Sequence, residues 1–442
     1  MKLHAVQQLL INRWLAWVVT APLVALLLLT TLQYRDIDAQ VPHERAEGES
    51  MLIAPAPVAG GRILNDYEDF YIVGRLYREG EILRAYDNAY LTAAQRRFTG
   101  TTTFMPWAYP PQLTALTPLL PMVGLGWSYF AFMTATLMLF LWVLTRFGIR
   151  LTGAALLAIF PALLLVVRLG QNGMLTGALI GLFLLEFLRG RKSAGIPLGL
   201  MCIKPHLAFA LGLMTLLHRR WSTIAIGMVI VVMTSVLATL VLGVAAWPAF
   251  FNGAKAAGGF LREGLFPLYR MSSIYAAARS FGTGPDTAML IHIIGALLGL
   301  GTLVLAWQRR LKRNRLLALT AFMTLFVSPY NYDYDLVCLA FAVALILPEM
   351  LARATSLQII GFYALAWVGT GAGLMQHFNA VLFAGTTAHL HGSALNWSFQ
   401  AIGLIGAAIL AAVILRQRQA MAVVGNADFE LNGCKAIAGG TA

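Results

Sequence analysis

Apolar runs of membrane length constrain this chain before anything else. Residues 14–32 carry no charged side chain, and a helix of that length crosses the roughly 30 Å of hydrocarbon in a bilayer. Further apolar runs follow at 125–145, 151–168, 173–188, 222–245, 287–307, 356–375 and 401–415. Lipid offers backbone N–H and C=O groups no partners, so such runs must bond internally as helices. Only 12% of the 442 residues are charged, against about 25% in a soluble domain. The expected fold is therefore an all-α polytopic membrane protein with about eight full spans.

The first run resembles a signal peptide in outline, with Lys2 and Arg13 ahead of it. Its core is long and no small-x-small site precedes Gln33, so an uncleaved anchor is expected. A long polar segment from about 33 to 110 follows, with a Pro/Ala/Gly-rich loop at 54–61. Tyr109-Pro110-Pro111 closes it, because proline resists a preceding helix and suits the start of the next.

Two segments differ from the full spans. Residues 194–217 are interrupted by Lys204-Pro205-His206, and residues 316–350 by Ser328-Pro329-Tyr330-Asn331-Tyr332-Asp333-Tyr334-Asp335. Basic residues flank both ends of each: Arg189, Arg191 and Lys192 against Arg219 and Arg220, then Arg309 to Arg315 against Arg353. Basic flanks mark the cytoplasmic side, so each segment should enter and leave on one face as two half-helices meeting at a polar break. Half-helices of about 10–13 residues rise only about 15–20 Å. Their apices should then line a cavity, since irregular backbone at membrane depth is tolerated only there.

The same flanks account for the net charge of +13. Most of the 32 Lys and Arg fall near ends assigned to the cytoplasm and most of the 19 acids outside, so the excess is topological and no nucleic-acid partner is expected. Both termini should be cytoplasmic, with residues 1–418 forming one membrane unit and 419–442 a cytoplasmic tail. Cys202, Cys338 and Cys434 suggest neither a disulfide framework nor a metal site. Asp36 and Asp38 read best as solvated acids just past a span.

Four polar elements collect on the outer side. In the first, Asn65 or Asp66 is suited to cap a helix whose first turn holds Glu68 and Asp69, near the positive end of its dipole. Phe70, Val73 and Tyr77 give that helix an apolar face fit to lie on the bilayer surface. The carboxylates are either an acidic first turn or a pair that removes a proton or grips a hydroxyl. In the second, Arg168 is an interface anchor or a phosphate ligand, and Gln171 and Asn172 either turn the chain or hold sugar hydroxyls. In the third, Lys204 beside a helix-breaking proline suits a phosphate, with snorkelling as the competing reading. His206 assists it, protonates a leaving group, or simply packs. In the fourth, Tyr330, Tyr332 and Tyr334 alternate with Asp333 and Asp335, a pattern suited to carbohydrate or to an aromatic belt with loop acids.

Taken in order, these stretches resemble glycosyltransferase family 87, polytopic enzymes of the GT-C type. The likeness runs from Asp69-Phe70, Gly80 and Ala85-Tyr86-Asp87 through Tyr109-Pro110-Pro111. It continues with Gly170-Gln171-Asn172-Gly173, Leu175-Thr176 and Lys204-Pro205-His206, and ends at Pro329-Tyr330 and Tyr334-Asp335. The resemblance implies a GT-C-like bundle and a polyprenyl-phosphate sugar donor, usually of mannose or a related sugar. It further implies Asp69 as catalytic base, and the first-turn position of Asp69 should keep it ionised. Attack on the anomeric carbon from the face opposite the phosphate would then invert it, with a glycolipid or glycan as the expected acceptor. Lys204, His206 and Arg168 would then hold the donor phosphate, and Glu68, Tyr109, Gln171, Asn172, Tyr330, Asp333 and Asp335 the sugar and acceptor. No cofactor is called for, and a divalent metal is compatible but not required. The expected setting is a bacterial-type inner membrane with the site facing outward. A transporter or flippase of a lipid-linked sugar is the rival class, although no internal repeat of the kind such proteins often carry is visible. A non-catalytic assembly partner is a third.

Overall fold

The computed structural model describes residues 2–40, 64–99, 105–384 and 397–418. The loop read at 54–61, Cys434 and the tail 419–442 lie outside the described residues. Every regular element among them is helical, apart from one isolated antiparallel bridge between Met271 and Tyr332.

Among the described residues six helices are long and apolar enough to cross a membrane: Arg13–Asp38, Leu125–Thr145, Trp221–Leu242, Pro285–Gln308, Asp333–Leu351 and Ser356–Gln376. A bent pair, Thr152–Ala158 and Phe160–Leu169, makes a seventh span if counted as one. This corrects the expected eight. Residues 151–168 are not straight but turn by 75°, at Ile159, where Pro161 begins a new helix and cannot supply the N–H that would continue the old one. Gly173–Leu188 and Gln400–Arg416 are shorter apolar helices of 16 and 17 residues.

Both interrupted segments do consist of two pieces around a polar break. Gly195–Leu200 continues through Met201–Ile203, and Pro205–Leu217 starts beyond Lys204. Arg313–Met323 and Thr324–Phe326 lead to a second break, after which Asp333–Cys338 runs into Leu339–Leu351. That last piece is long enough to count as a span by itself and is the most enclosed, 83% buried against 11% for Trp221–Leu242 and 17% for Pro285–Gln308. The second break therefore leads into the most enclosed helix, while the other two leave most of their apolar side chains exposed.

Asp38 is not the solvated acid expected. Its carboxylate oxygens each accept a hydrogen bond at 3.0 Å, from the N–H groups of Leu125 and Gly126. Gly124, the residue at the helix start, has no side chain to cap with, so the helix Arg13–Gln40 supplies the acceptor for two orphan N–H groups. Asp36 is exposed.

At the basic end, Glu349 gathers three cations. Arg315 donates to both its oxygens at 2.6 and 2.8 Å, Arg353 reaches it at 2.8 Å and Lys312 at 3.2 Å. Arg315 also donates to the Leu415 carbonyl and Arg353 to the Gln417 carbonyl. One carboxylate thus ties the ends of three helices. Glu349→Ala is expected to destabilise the protein by about 1–3 kcal/mol, because partly buried guanidinium groups lose their counter-charge. Thermal unfolding in detergent checks this, and an unchanged midpoint would show the clamp to be idle.

Candidate active site

The site begins at the helix Asp66–Arg78. Asn65, with extended backbone, is its cap residue. Its N–H donates to the Glu68 carboxylate at 2.8 Å, which is half of a capping box and fixes where the helix starts. This corrects the expectation that the apolar face rests on the bilayer surface: protein covers it. Phe70 is 4% and Val73 0% exposed, and only Tyr77, at 42%, reaches out. The helix is buried because rings close over it: Phe70 lies 5.6 Å from Trp107 and 5.3 Å from Tyr109.

Asp69 is almost fully enclosed on this turn. Its Oδ1 accepts a hydrogen bond from Gln95 Nε2 at 2.7 Å, and the same nitrogen donates to the Met105 carbonyl at 2.8 Å. Burial pushes the Asp69 carboxyl up to about 7; the Gln95 bond opposes this and the charge of Asp66 adds to it. The expectation that the first turn would hold Asp69 ionised is therefore corrected. Desolvation of a carboxylate outweighs a partial helix charge.

Asp66, one turn earlier, faces a different group. Its Oδ2 lies 3.7 Å from the Arg270 guanidinium and has no hydrogen-bond partner. Arg270 also contacts Asp333, at 3.4 Å through Nη2 and 3.5 Å through Nε. Burial works against the arginine's charge, but Asp333 and Asp66 outweigh it and hold its pKa well above the usual value.

The second break carries the other half of the site. The Met271–Tyr332 bridge brings Arg270 beside it, and Asn331 reinforces the bridge by donating to Ser272 Oγ at 2.6 Å. Tyr332 and Tyr334 stack, 5.2 Å apart and 4° from parallel. The Arg270 guanidinium carbon lies 5.5 and 5.8 Å from their ring centres, within cation–π range. Tyr330 packs edge-on against Phe266 at 4.8 Å.

The first break meets the second through an ion pair. Lys204 Nζ donates to Asp335 Oδ1 at 2.7 Å, with side chains 5% and 2% exposed. The lysine also lies 4.5 Å from the Tyr334 ring centre and 5.8 Å from that of Tyr109. Pro205 dictates this local path. The residue before a proline is excluded from the helical region, and Lys204 takes φ −143°, ψ 74°. His206 is part-buried, and its Nε2 has no hydrogen-bond partner.

Gln171 and Asn172 complete the enclosure. Gln171 Oε1 accepts from the Tyr109 hydroxyl at 3.2 Å and from the Asn172 N–H at 3.0 Å. Asn172 is 1% exposed, yet neither of its side-chain amide atoms has a partner. Two glycines make the approach feasible. Gly170 is left-handed at φ +70° and ends the preceding helix, a conformation that costs glycine little. A Cβ on Gly173 would sit 2.1 Å from the Tyr334 carbonyl oxygen, so only glycine permits this contact.

Lys204, Asp335, Tyr334, Tyr109 and Gln171 thus form one contact network. Asp333, Arg270 and Asp66 join it, and Phe70 brings the Asp69 turn against Tyr109. Arg168 stands apart. It is exposed, at the end of the helix Phe160–Leu169. Sequence reasoning missed Arg270 and Gln95. Neither sits in a motif, and only the chain's return to the second break and to the Asp69 helix reveals them. Among the described residues no three His, Cys, Asp or Glu side chains are grouped as metal ligands.

Chemically, the site offers a buried and a partly buried cation, four carboxylates and stacked aromatic rings. The model of glycosyltransferase family 87 matches residues 107–329. That stretch takes in Tyr109, Gln171, Asn172, Lys204, His206 and Arg270, and leaves Asp66, Asp69 and Tyr330 to Asp335 outside it. No curated protein and no solved structure matches the chain.

Proposed function

Since the chain belongs to glycosyltransferase family 87, and is by that membership a membrane glycosyltransferase with a sugar donor and an acceptor, we propose that its donor is a polyprenyl-phosphate sugar, of mannose or a related hexose. The acceptor is a hydroxyl of a glycolipid or glycan, and the reaction takes place on the outer face of the membrane. The observation that carries this reading is the buried meeting of Lys204 and Arg270 with Tyr330–Asp335, beside the Asp69 turn and away from the basic flanks. Cations neutralise a phosphate leaving group, and tyrosines and carboxylates suit sugar faces and hydroxyls.

In the proposed step the acceptor oxygen attacks the anomeric carbon while Asp69 takes its proton. The bond from that carbon to the phosphate oxygen breaks on the opposite face, and its electron pair leaves with the polyprenyl phosphate. The anomeric configuration is inverted. Lys204 and the free Nε2 of His206 face the phosphate. Tyr109, Gln171, Asn172, Tyr330, Asp333 and Asp335 hold sugar and acceptor, and Glu68 serves them through the helix start. A carboxyl near 7 is well matched to accepting a proton at neutral pH.

The test is incubation of the purified protein with a panel of polyprenyl-phosphate sugars and candidate acceptors, reading released polyprenyl phosphate and product anomer. Release that needs an acceptor and yields the opposite anomer is expected. Retention of configuration, or transfer from nucleotide sugars alone, would overturn the proposal.

A further inference from the structure

A slot of about 410 Å³, within the roughly 300–1,000 Å³ of ligand sites, lies apart from the candidate active site. Helix Pro285–Gln308 forms one wall, Ser356–Ala384 and Gln400–Arg416 the other, and Arg313–Met323 with Leu339–Leu351 the floor. Its interior is hydrocarbon. Alanines such as Ala318, Ala342 and Ala408 leave the space open. The two threonines lining it, Thr302 and Thr370, donate to carbonyls of their own helices, so neither asks a ligand for a hydrogen bond. Along Gln400–Arg416 the lining runs from Leu404 to Arg416, a rise of about 18 Å, close to the depth of one leaflet.

One end is different. Arg309, Arg315 and Arg416 line it. Arg315 is engaged by Glu349 and the Leu415 carbonyl. Arg309 and Arg416 are exposed, and the nearby acid, Glu349, is already shared by Lys312, Arg315 and Arg353. An apolar channel one leaflet deep, closed at its surface end by uncommitted guanidinium groups, matches a lipid with one chain inside and an anionic phosphate at the mouth. Basic pockets between transmembrane helices at a membrane surface recognise such head groups.

We propose that this slot binds one anionic glycerophospholipid from the leaflet at the basic end, its phosphate held by Arg309 and Arg416. A polyprenyl phosphate is far longer than the slot and fits it poorly. The bound lipid joins the exposed helix Pro285–Gln308 to the pair formed by Ser356–Ala384 and Gln400–Arg416.

Native mass spectrometry of the full chain in detergent tests this, with phosphatidylglycerol and phosphatidylcholine of identical chains. One phosphatidylglycerol should be retained about tenfold or more over phosphatidylcholine, as two surface arginines imply. Arg309→Gln with Arg416→Gln should abolish the preference, and Ala408→Phe should lower retention of both lipids by filling the slot. Equal retention of the two lipids, or phosphatidylglycerol retained equally by the arginine variant, overturns the site. So does displacement of phosphatidylglycerol by an equimolar polyprenyl phosphate. The arginine variant alters exposed side chains only, so it decides the matter even if the phenylalanine variant fails to fold.

Discussion

Asp69→Asn should lower sugar transfer by about 10²–10⁴-fold, the contribution of a positioned general base, while making the folded protein more stable above neutral pH. The two effects have one cause. Asp69 is 7% exposed, and its carboxyl is pushed from 3.8 up to about 7. Between those values the folded protein holds a proton that the unfolded chain has released, so stability falls as pH rises from about 4 to about 7 and then levels off. Asparagine carries no such charge, and its removal should recover a stabilisation on the order of a few kcal/mol at pH 8, and little at pH 4. Transfer by the unmodified protein should move the other way, rising with pH through about 7 as the base form appears. Activity and unfolding midpoints across pH 5–9, on both proteins, check this. A variant that keeps its transfer rate removes Asp69 from the chemistry. If Asp66→Asn loses transfer in its place, the carboxylate facing Arg270 is the base.

How much of this was legible depends on where each property originates. Hydropathy is local, so residues 14–32, 125–145, 222–245, 287–307 and 356–375 could be read as spans and correspond to long helices. The break at Lys204 was legible because a proline dictates the conformation of its predecessor whatever surrounds it. The bend in 151–168 had a signal too, Pro161, but an apolar count does not register it. Asp333–Leu351 looked like half of a broken segment. Its tyrosines and aspartates disguise the most enclosed span in the bundle, and enclosure comes from neighbours distant in sequence. The same applies to Asp69. Its first-turn position is a local property and argues for ionisation, whereas its burial comes from Gln95, Met105 and the rings around Phe70. Arg270 could not be found at all, because nothing in its own stretch distinguishes it from other loop arginines.

Lys204→Met should abolish transfer and also destabilise the protein by about 3–5 kcal/mol, the cost of leaving a buried charge without its partner. Asp335 is 3% exposed, and its Oδ1 takes its hydrogen bond from Lys204 at 2.7 Å. The single variant therefore cannot separate catalysis from folding. A double variant does. Replacing Lys204 by Met and Asp335 by Leu together removes both charges, and such exchanges of a buried pair for apolar residues are often neutral or stabilising. The double variant should regain most of the lost unfolding midpoint and none of the activity, because the cation that neutralises the leaving phosphate is still missing. Lys204→Arg keeps the charge but not the compact ammonium between Tyr109 and Tyr334, so intermediate activity is expected. If the double variant recovers transfer along with stability, the pair only holds the two breaks together and the phosphate must be met by Arg270. If it recovers stability alone, the lysine acts on the donor, and the ion pair with Asp335 keeps it aimed until the phosphate arrives.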